Sequence, residues 1–245
     1  MHFDRFTVKR KVIFAKQNLN GRIKMDKKVA VILCGSGFLD GSEIRESVAT
    51  LWALSHSGAS VEIFCPEGPQ HHVVNCLTGE ESTNEKREML TEAARIARGQ
   101  IKPLSDLNAS QFDALILPGG FGAAKNLCDF AFKGSSGSVI SELKKVLNDF
   151  FDSKKPIGAI CIAPTILALH FKDKKLELTV GEPSEASQEI EKLGHKHIVK
   201  PVDTCHVDLN NKIVSTPAYM YANAKLADLF KGVEALTKEV LKLCL

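Results

Sequence analysis

Cys161 follows a short segment of small and apolar residues, Gly158 to Ile160, and lies three positions before Pro164. Proline is tolerated in the first turn of a helix, so this spacing predicts a strand that turns sharply into a helix at the cysteine. Such a turn, a nucleophile elbow, lifts one side chain above the edge of a sheet. The helix N-terminus favours a thiolate there. A buried structural cysteine is the alternative interpretation.

A glycine-rich segment, Pro118 to Gly122, follows the apolar residues 114–117. Glycines allow backbone N–H groups to approach an anion closely. Together with the N–H of Ile162, these glycines predict an oxyanion hole, in which the loss of one donor typically costs about 3 kcal/mol. An ordinary turn at the end of a strand is the alternative.

Acidic residues open the first predicted helix. Asp40 and Glu43 have the spacing of a capping box, which gives Glu43 a structural role. Glu46 lies one turn further on, on the same side and near the strand ends. A carboxyl group there can exchange a proton with a thiol or a substrate hydroxyl, a contribution of roughly 10²–10⁴-fold to a rate. A solvated glutamate on the flank of a helix is the alternative.

Other motifs argue against a cofactor or a metal. The glycines at 35, 37 and 41 are spaced one residue too widely for a dinucleotide fingerprint, and no phosphate-binding lysine loop is present. The histidine pairs 71/72 and 195/197 lack further ligands. His206 and Asp208 resemble the histidine and acid of a catalytic triad, but they lie close to a predicted hairpin turn, so His206 is only an accessory candidate.

The elements that position these residues alternate along the chain. Strands are predicted over residues 29–34, 61–65, 114–117, 156–160 and 176–180, and helices over 43–57, 85–98, 139–151, 163–171, 184–193 and 222–243. A hairpin is predicted from 205–208 and 212–216, with turn residues 209–211 suited to positive φ. This alternation predicts a mostly parallel sheet, and ligands bind beyond the carboxyl ends of such strands. The site is therefore expected among residues 35–46, 118–126, 161–165 and 216–219.

The amino-acid composition predicts a single folded domain over residues 25–245. The chain has 245 residues, 44% hydrophobic and 25% charged, which suffices for one core. The apolar runs are too short to cross a bilayer, and no secretory signal pattern is present. The odd number of cysteines, seven, without a CxxC pair, favours a reducing compartment.

Residues 1–24 carry seven basic side chains and one acidic one, which leaves 25 basic and 28 acidic residues, a net charge of −3, in the rest of the chain. A domain of this charge predicts no nucleic-acid partner. The leading segment is interpreted as a targeting peptide, a basic tail or an extension before a start at Met25. Asp4 and the lack of serine argue mildly against a mitochondrial transit peptide.

Four segments together resemble the class I amidotransferase-like superfamily, in its PfpI-type wing, and within it the ES-one / enhancing-lycopene-biosynthesis family of isoprenoid biosynthesis proteins. They are residues 40–44 (DGSEI), 118–127 (PGGFGAAKNL), 161–164 (CIAP) and 216–219 (TPAY). The resemblance implies a three-layer α/β/α sandwich, flavodoxin-like, with Cys161 as nucleophile. In these relatives the acidic partner of the cysteine lies twelve residues before the glycine that ends the first helix. Here that glycine is Gly58, so the implied partner is Glu46. The implied oxyanion donors are the N–H groups of Gly120 and Ile162, with Gly119 as a further accessory.

The chain also departs from these relatives. Ala163 and Thr165 replace the glycine and glutamine of the glutaminase elbow, so glutamine hydrolysis is not expected. Residues 181–182 (Gly-Glu) stand where the deglycase wing usually has a histidine. The resemblance then implies a slow, cofactor-independent glyoxalase that converts a small dicarbonyl into a 2-hydroxy acid, in a cytoplasmic homodimer or, if residues 1–24 are a transit peptide, in mitochondria. A redox-sensing or metabolite-binding module linked to isoprenoid metabolism is the main alternative, and an amidase that uses His206 is a weaker one.

Overall fold

A computed structural model describes residues 27–244, so the interpretations of residues 1–24 lie outside the described part. The described residues form nine strands: β1 Lys28–Ile32, β2 Ser60–Cys65, β3 Lys102–Pro103, β4 Ala114–Leu117, β5 Ile157–Ile160, β6 Glu177–Leu178, β7 Lys196–His197, β8 His206–Asp208 and β9 Ile213–Thr216. In the same part of the chain, eight α-helices alternate with the strands: α1 Ile44–His56, α2 Met89–Ile96, α3 Phe121–Lys125, α4 Phe130–Lys133, α5 Ser141–Asp152, α6 Pro164–His170, α7 Glu185–Lys192 and α8 Leu226–Leu243. Within the described range, no helix is both long and apolar enough to span a membrane.

Seven of the strands form one sheet in the order β3-β2-β1-β4-β5-β9-β8. All neighbours are parallel except β8 and β9, which form the predicted antiparallel hairpin. Residues 29–32 of β1 are fully buried, as expected for a central strand covered on both faces. The predicted mostly parallel α/β sandwich of the flavodoxin-like type is therefore confirmed. The carboxyl ends of β1, β4, β5 and β9 lie side by side, where the four predicted segments begin.

The largest apolar side chains of helix α1 do not form its buried face. Ile44, Val48 and Trp52, spaced four residues apart, are each more than 40% exposed. The buried face instead carries Glu46 and small residues such as Ala49. Small side chains let the helix approach its neighbours closely, and this close approach places a carboxyl group inside the protein.

Several helices and strands begin or end at other residues than predicted, because backbone hydrogen bonds rather than the apolar pattern determine their ends. The helix expected over 85–98 is limited to Met89–Ile96, since the carbonyl of Arg87 accepts a hydrogen bond from the N–H of Gln70. The strand expected over 176–180 shortens to Glu177–Leu178 and pairs with β7, a strand that was not predicted. The helix expected from 222 begins at Leu226, because residues 221–224 form a turn. In the hairpin, Lys212 rather than an asparagine has positive φ (53°).

Candidate active site

Cys161 lies in the sharp turn between β5 and α6, as the sequence predicts. Its φ is 62°, a left-handed conformation that is rare for a side chain other than glycine, asparagine or aspartate. The N–H of Cys161 donates to the carbonyl oxygen of Thr216 at 2.9 Å, which fixes the turn against the end of β9. The residue is 7% exposed. Strained backbone of this kind clusters at functional sites, where surrounding structure holds it in place.

Glu46 is the acidic group that the fold brings to this cysteine. It lies on the buried side of α1 and is 0% exposed. Its Oε2 accepts a hydrogen bond from the N–H of Gly119 at 3.0 Å, and its Oε1 accepts one from the N–H of Tyr219 at 3.1 Å. The thiol of Cys161 donates a hydrogen bond to the same carboxyl group. One side chain thereby joins the loops after β4, β5 and β9.

The environment of Glu46 raises its pKa to about 8. Burial is the largest cause, because it disfavours the charged form, and the nearby carboxylate of Glu43 adds repulsion. Hydrogen bonds from Tyr219, Cys161 and Gly119 oppose this shift but are outweighed. A carboxyl group with a pKa close to neutral can both accept and donate a proton under physiological conditions.

The expected thiolate at Cys161 is not the ground state in this environment. Burial raises the pKa of the thiol well above its usual value, and the charge of Glu46 and its hydrogen bond with the thiol raise it further. Hydrogen bonding from the N–H groups of Gly120 and Ile162 lowers the pKa, but by less. Desolvation therefore outweighs the two donors, and the thiol is protonated rather than the predicted thiolate. The carboxyl group of Glu46 ionises first, and the thiol keeps its proton until a base removes it.

Glu43 has a structural role, although not in the predicted capping box. Helix α1 begins after Glu43, whose own Oε2 accepts the N–H of Glu46 at 2.6 Å. Asp40 instead accepts the N–H of Val74 at 2.8 Å and so ties down a different loop. Spacing alone cannot distinguish the two arrangements, because an acidic residue at either position is able to cap the helix. The cap carboxylate of Glu43 is also the charge that adds to the pKa shift of Glu46.

Glycines in the loop after β4 allow the backbone to lie close to Cys161 and Glu46. A Cβ on Gly119 would lie 2.5 Å from the Cβ of Cys161 and 2.6 Å from Oε2 of Glu46. Gly120 has a φ of 96°, and a Cβ there would collide with the backbone of Gly41 and Glu43. The N–H of Glu43 also donates to the carbonyl of Gly119 at 2.9 Å. The loops after β1 and β4 therefore pack at a distance that only glycine permits.

Replacing Gly119 with alanine is expected to lower the free energy of unfolding by about 1–3 kcal/mol, because the added methyl group overpacks the space between Cys161 and Glu46. Thermal unfolding measures this loss, and iodoacetamide labelling of Cys161 reports the local displacement. Gly99→Ala is the control, since nothing lies within 4 Å of its Cβ position and only its φ of 77° is unfavourable. The control should lose some stability and leave the labelling of Cys161 unchanged. Equal labelling rates in both variants would contradict the assigned crowding at Gly119.

His206 is not brought to the cysteine by the described contacts. It pairs in register with Ser215 of β9, on the far side of that strand from β5. Its Nε2 lies 3.1 Å from Oε2 of Glu177, so its ring is engaged with a different carboxylate. At the position of the missing deglycase histidine, a Cβ on Gly181 would lie 2.9 Å from the ring of Tyr221. The group that the structure assembles around the sulfur is therefore Glu46 with two backbone N–H donors.

Sequence reasoning missed the contribution of Arg45 and Tyr219. The Nη1 of Arg45 donates to the Tyr219 hydroxyl at 2.8 Å, while the Tyr219 backbone N–H holds Glu46. Ala218, one residue earlier, has a φ of 45°. The only sequence signal was the segment TPAY at the end of β9, which reveals neither the strained backbone nor the partner across the fold.

Among the histidines considered as metal ligands, His195 has a structural role. The Nδ1 of His195 accepts the N–H of Leu176 at 3.0 Å, and its Nε2–H donates to the carbonyl of Ala168 at 2.9 Å. Among residues 27–244, no group of three or more histidine, cysteine, aspartate or glutamate side chains is arranged to hold a metal ion.

The chain is similar in sequence to known proteins. A family model described as the DJ-1/PfpI family matches residues 27–215. The "ES1 protein homolog, mitochondrial" of Rattus norvegicus is 45% identical over 225 residues, which cover 88% of this chain and 84% of the rat protein. The human "Glutamine amidotransferase-like class 1 domain-containing protein 3, mitochondrial" is also 45% identical, over 88% of this chain and 83% of the human protein.

A solved structure shows the same similarity. The crystal structure of an "isoprenoid biosynthesis protein with amidotransferase-like domain" from Ehrlichia chaffeensis is 34% identical and superposes with a TM-score of 0.82. The match covers 89% of this chain and 99% of that one.

Proposed function

The chain belongs to the DJ-1/PfpI family, and within that family we propose that it is a cofactor-independent glyoxalase, which converts a small dicarbonyl into a 2-hydroxy acid. The observation that supports this most is the hydrogen-bonded pair of Cys161 and Glu46, whose carboxyl pKa is raised to about 8. A base of that pKa next to a buried thiol, with two N–H donors at the sulfur, suits addition of the thiol to an aldehyde.

In the first step, the thiol of Cys161 adds to the aldehyde carbon of the substrate. An S–C bond forms, the Glu46 carboxylate takes the thiol proton, and the carbonyl electron pair moves to oxygen. The N–H groups of Gly120 and Ile162 stabilise the resulting oxyanion. Glu46 then returns the proton to that oxygen, which completes a hemithioacetal and leaves Glu46 ionised again.

In the second step, Glu46 removes the hydrogen of the hemithioacetal carbon as a proton, and the neighbouring carbonyl oxygen takes the negative charge of the resulting enediolate. The hydroxyl proton passes between the two oxygens, and Glu46 returns its proton to the neighbouring carbon, which gives a thioester of the 2-hydroxy acid. The aldehyde carbon is thereby oxidised while its neighbour is reduced, so no external oxidant or reductant is needed. Water then cleaves the thioester, which releases the acid and restores the thiol. Methylglyoxal would yield lactate and glyoxal would yield glycolate.

Turnover is expected to rise with pH through an apparent pKa near 8, because Glu46 must be ionised to accept the thiol proton. Glu43→Gln removes the charge that raises the pKa of Glu46, so the rising part of the profile should move to lower pH. Initial rates of methylglyoxal consumption between pH 6 and 9.5 measure both effects. Glu88→Gln is the matched control, since Glu88 is exposed and its side chain makes no capping hydrogen bond. A profile that does not move in Glu43→Gln, or that moves equally in the control, contradicts this assignment.

The redox-sensing alternative receives less support from this site. Oxidation by peroxide requires an accessible thiolate. Burial raises the pKa of the Cys161 thiol, so the thiolate is not its resting form. An amidase that uses His206 is also disfavoured, because that ring contacts Glu177.

We extend the proposal to location and assembly. The rat and human relatives are named as mitochondrial proteins, and residues 1–24 of this chain carry seven basic residues and one acidic residue. We therefore propose a mitochondrial location, in place of the cytoplasm, with residues 1–24 as the targeting segment. The homodimer that the resemblance implies remains part of the proposal, and the exposed row of Ile44, Val48 and Trp52 on α1 offers an apolar surface for a second copy.

A further inference from the structure

A cavity of about 520 Å³ opens beside the candidate active site. Three of its lining residues are tied to the backbone donors of that site: Phe121 follows Gly120, Ile162 is itself a donor, and Met220 follows Tyr219. The rest of the wall comes from α4, α7 and their neighbours, and includes Ala124, Phe130, Ala131, Phe132 and Ala186. The cavity therefore borders the loops that carry the candidate oxyanion donors.

The lining is mostly apolar, and its charged members already have partners or face solvent. The ammonium group of Lys133 lies 2.6 Å from Asp129. The carboxylate of Glu189 is bound by Lys192 and accepts the N–H of Ser135 at 2.6 Å. The third charged lining residue, Glu185, is exposed. Aromatic, methyl and thioether groups thus form the larger part of the lining, and polar groups such as Ser184 form the rest.

The size of the cavity exceeds what the smallest dicarbonyls require. Ligand pockets for substantial organic molecules range from about 300 to 1,000 Å³, whereas one water molecule takes about 30 Å³. Glyoxal, with four non-hydrogen atoms, would leave most of this space filled with water against phenylalanine side chains. Burial of apolar ligand surface there is worth roughly 25 cal/mol per Å².

We propose that this cavity is a specificity pocket for the apolar substituent of the substrate, so that the preferred substrate is a 2-oxoaldehyde with an aromatic or alkyl group rather than glyoxal. This inference rests on the proposed glyoxalase function for its chemistry. The aldehyde carbon lies at Cys161, and the substituent extends past Phe121 and Ile162 towards α4 and α7.

The test compares kcat/KM for phenylglyoxal and methylglyoxal. The wild-type protein is expected to prefer phenylglyoxal by at least about tenfold, which corresponds to 1.4 kcal/mol. Ala186→Trp, which fills the cavity from α7, should lower kcat/KM for phenylglyoxal at least tenfold and that for methylglyoxal less than twofold. Ala131→Trp, on α4, should act in the same way. Gln188→Trp is the matched control, because it adds the same side chain at an exposed position of α7 outside the lining.

A binding measurement separates this inference from the proposed function. The Cys161→Ala variant cannot form the thioester, so calorimetric binding of 1-phenyl-1,2-propanedione, an aryl diketone without an aldehyde, reports the cavity alone. Binding that Ala186→Trp abolishes and Gln188→Trp preserves supports the cavity even if the wild type turns over no dicarbonyl. Turnover of methylglyoxal without any preference for phenylglyoxal, and with equal effects of the two tryptophan variants of α7, overturns the inference and leaves the glyoxalase proposal standing.

Discussion

Replacing Cys161 with alanine is expected to lower the turnover of methylglyoxal by at least about 10³-fold, since the variant lacks the atom that forms the covalent bond to the substrate. Serine at the same position should be almost as inactive, because a buried hydroxyl is a much weaker nucleophile than a thiol. Formation of lactate measures the loss. The fold should persist, as alanine keeps the Cβ that packs against Gly119.

The control for this experiment is Cys76→Ala, which removes an exposed cysteine. It should retain turnover within about twofold of the wild type, the range expected for a surface change that affects no reacting group. If the wild type consumes no dicarbonyl faster than Cys161→Ala, the enzymatic proposal is wrong, and a non-catalytic module becomes the better interpretation. That result would leave the fold and the family assignment intact.

Replacing Glu46 with glutamine is expected to reduce turnover by roughly 10²–10⁴-fold, because glutamine cannot accept the thiol proton. The same change should make Cys161 easier to ionise, since the carboxylate of Glu46 raises the pKa of the thiol through its charge and its hydrogen bond. The thiolate is favoured as pH rises, so a lower thiol pKa moves iodoacetamide labelling of Cys161 to lower pH. Mass spectrometry of the labelled peptide between pH 6 and 10 measures this shift.

These opposite effects distinguish proton transfer from a purely structural role. If Glu46 only held the loops together through Gly119 and Tyr219, its loss would disturb turnover and labelling without a directed change in pH dependence. Glu46→Asp supplies a further comparison, because it keeps the charge but its shorter side chain cannot span both backbone donors. We expect it to recover part of the turnover lost in Glu46→Gln. An unchanged labelling profile in Glu46→Gln contradicts the assigned coupling between the two groups.

Local sequence predicted most of the sheet because its strands are short, apolar and bounded by glycine or proline. Residues 114–117 and 156–160 illustrate this, since each forms a strand at nearly the predicted positions. The two-residue strands β3 and β7 have no periodic pattern, so nothing local distinguishes them from loops. Helix α1 was placed correctly along the chain, but its buried face depends on how closely it approaches its neighbours.

Local sequence patterns are enough to predict the alternation of strands and helices, the turn at Cys161 and the four segments that meet at the sheet edge. These features follow from the periodicity of side chains and from the conformations that glycine and proline allow. The protonation of the site was decided only by tertiary structure. The pKa of Glu46 and the ionisation of Cys161 depend on burial and on neighbours that lie far away in the chain, such as Gly119 and Tyr219. Because desolvation acts only after distant segments have packed, no local sequence pattern predicts it.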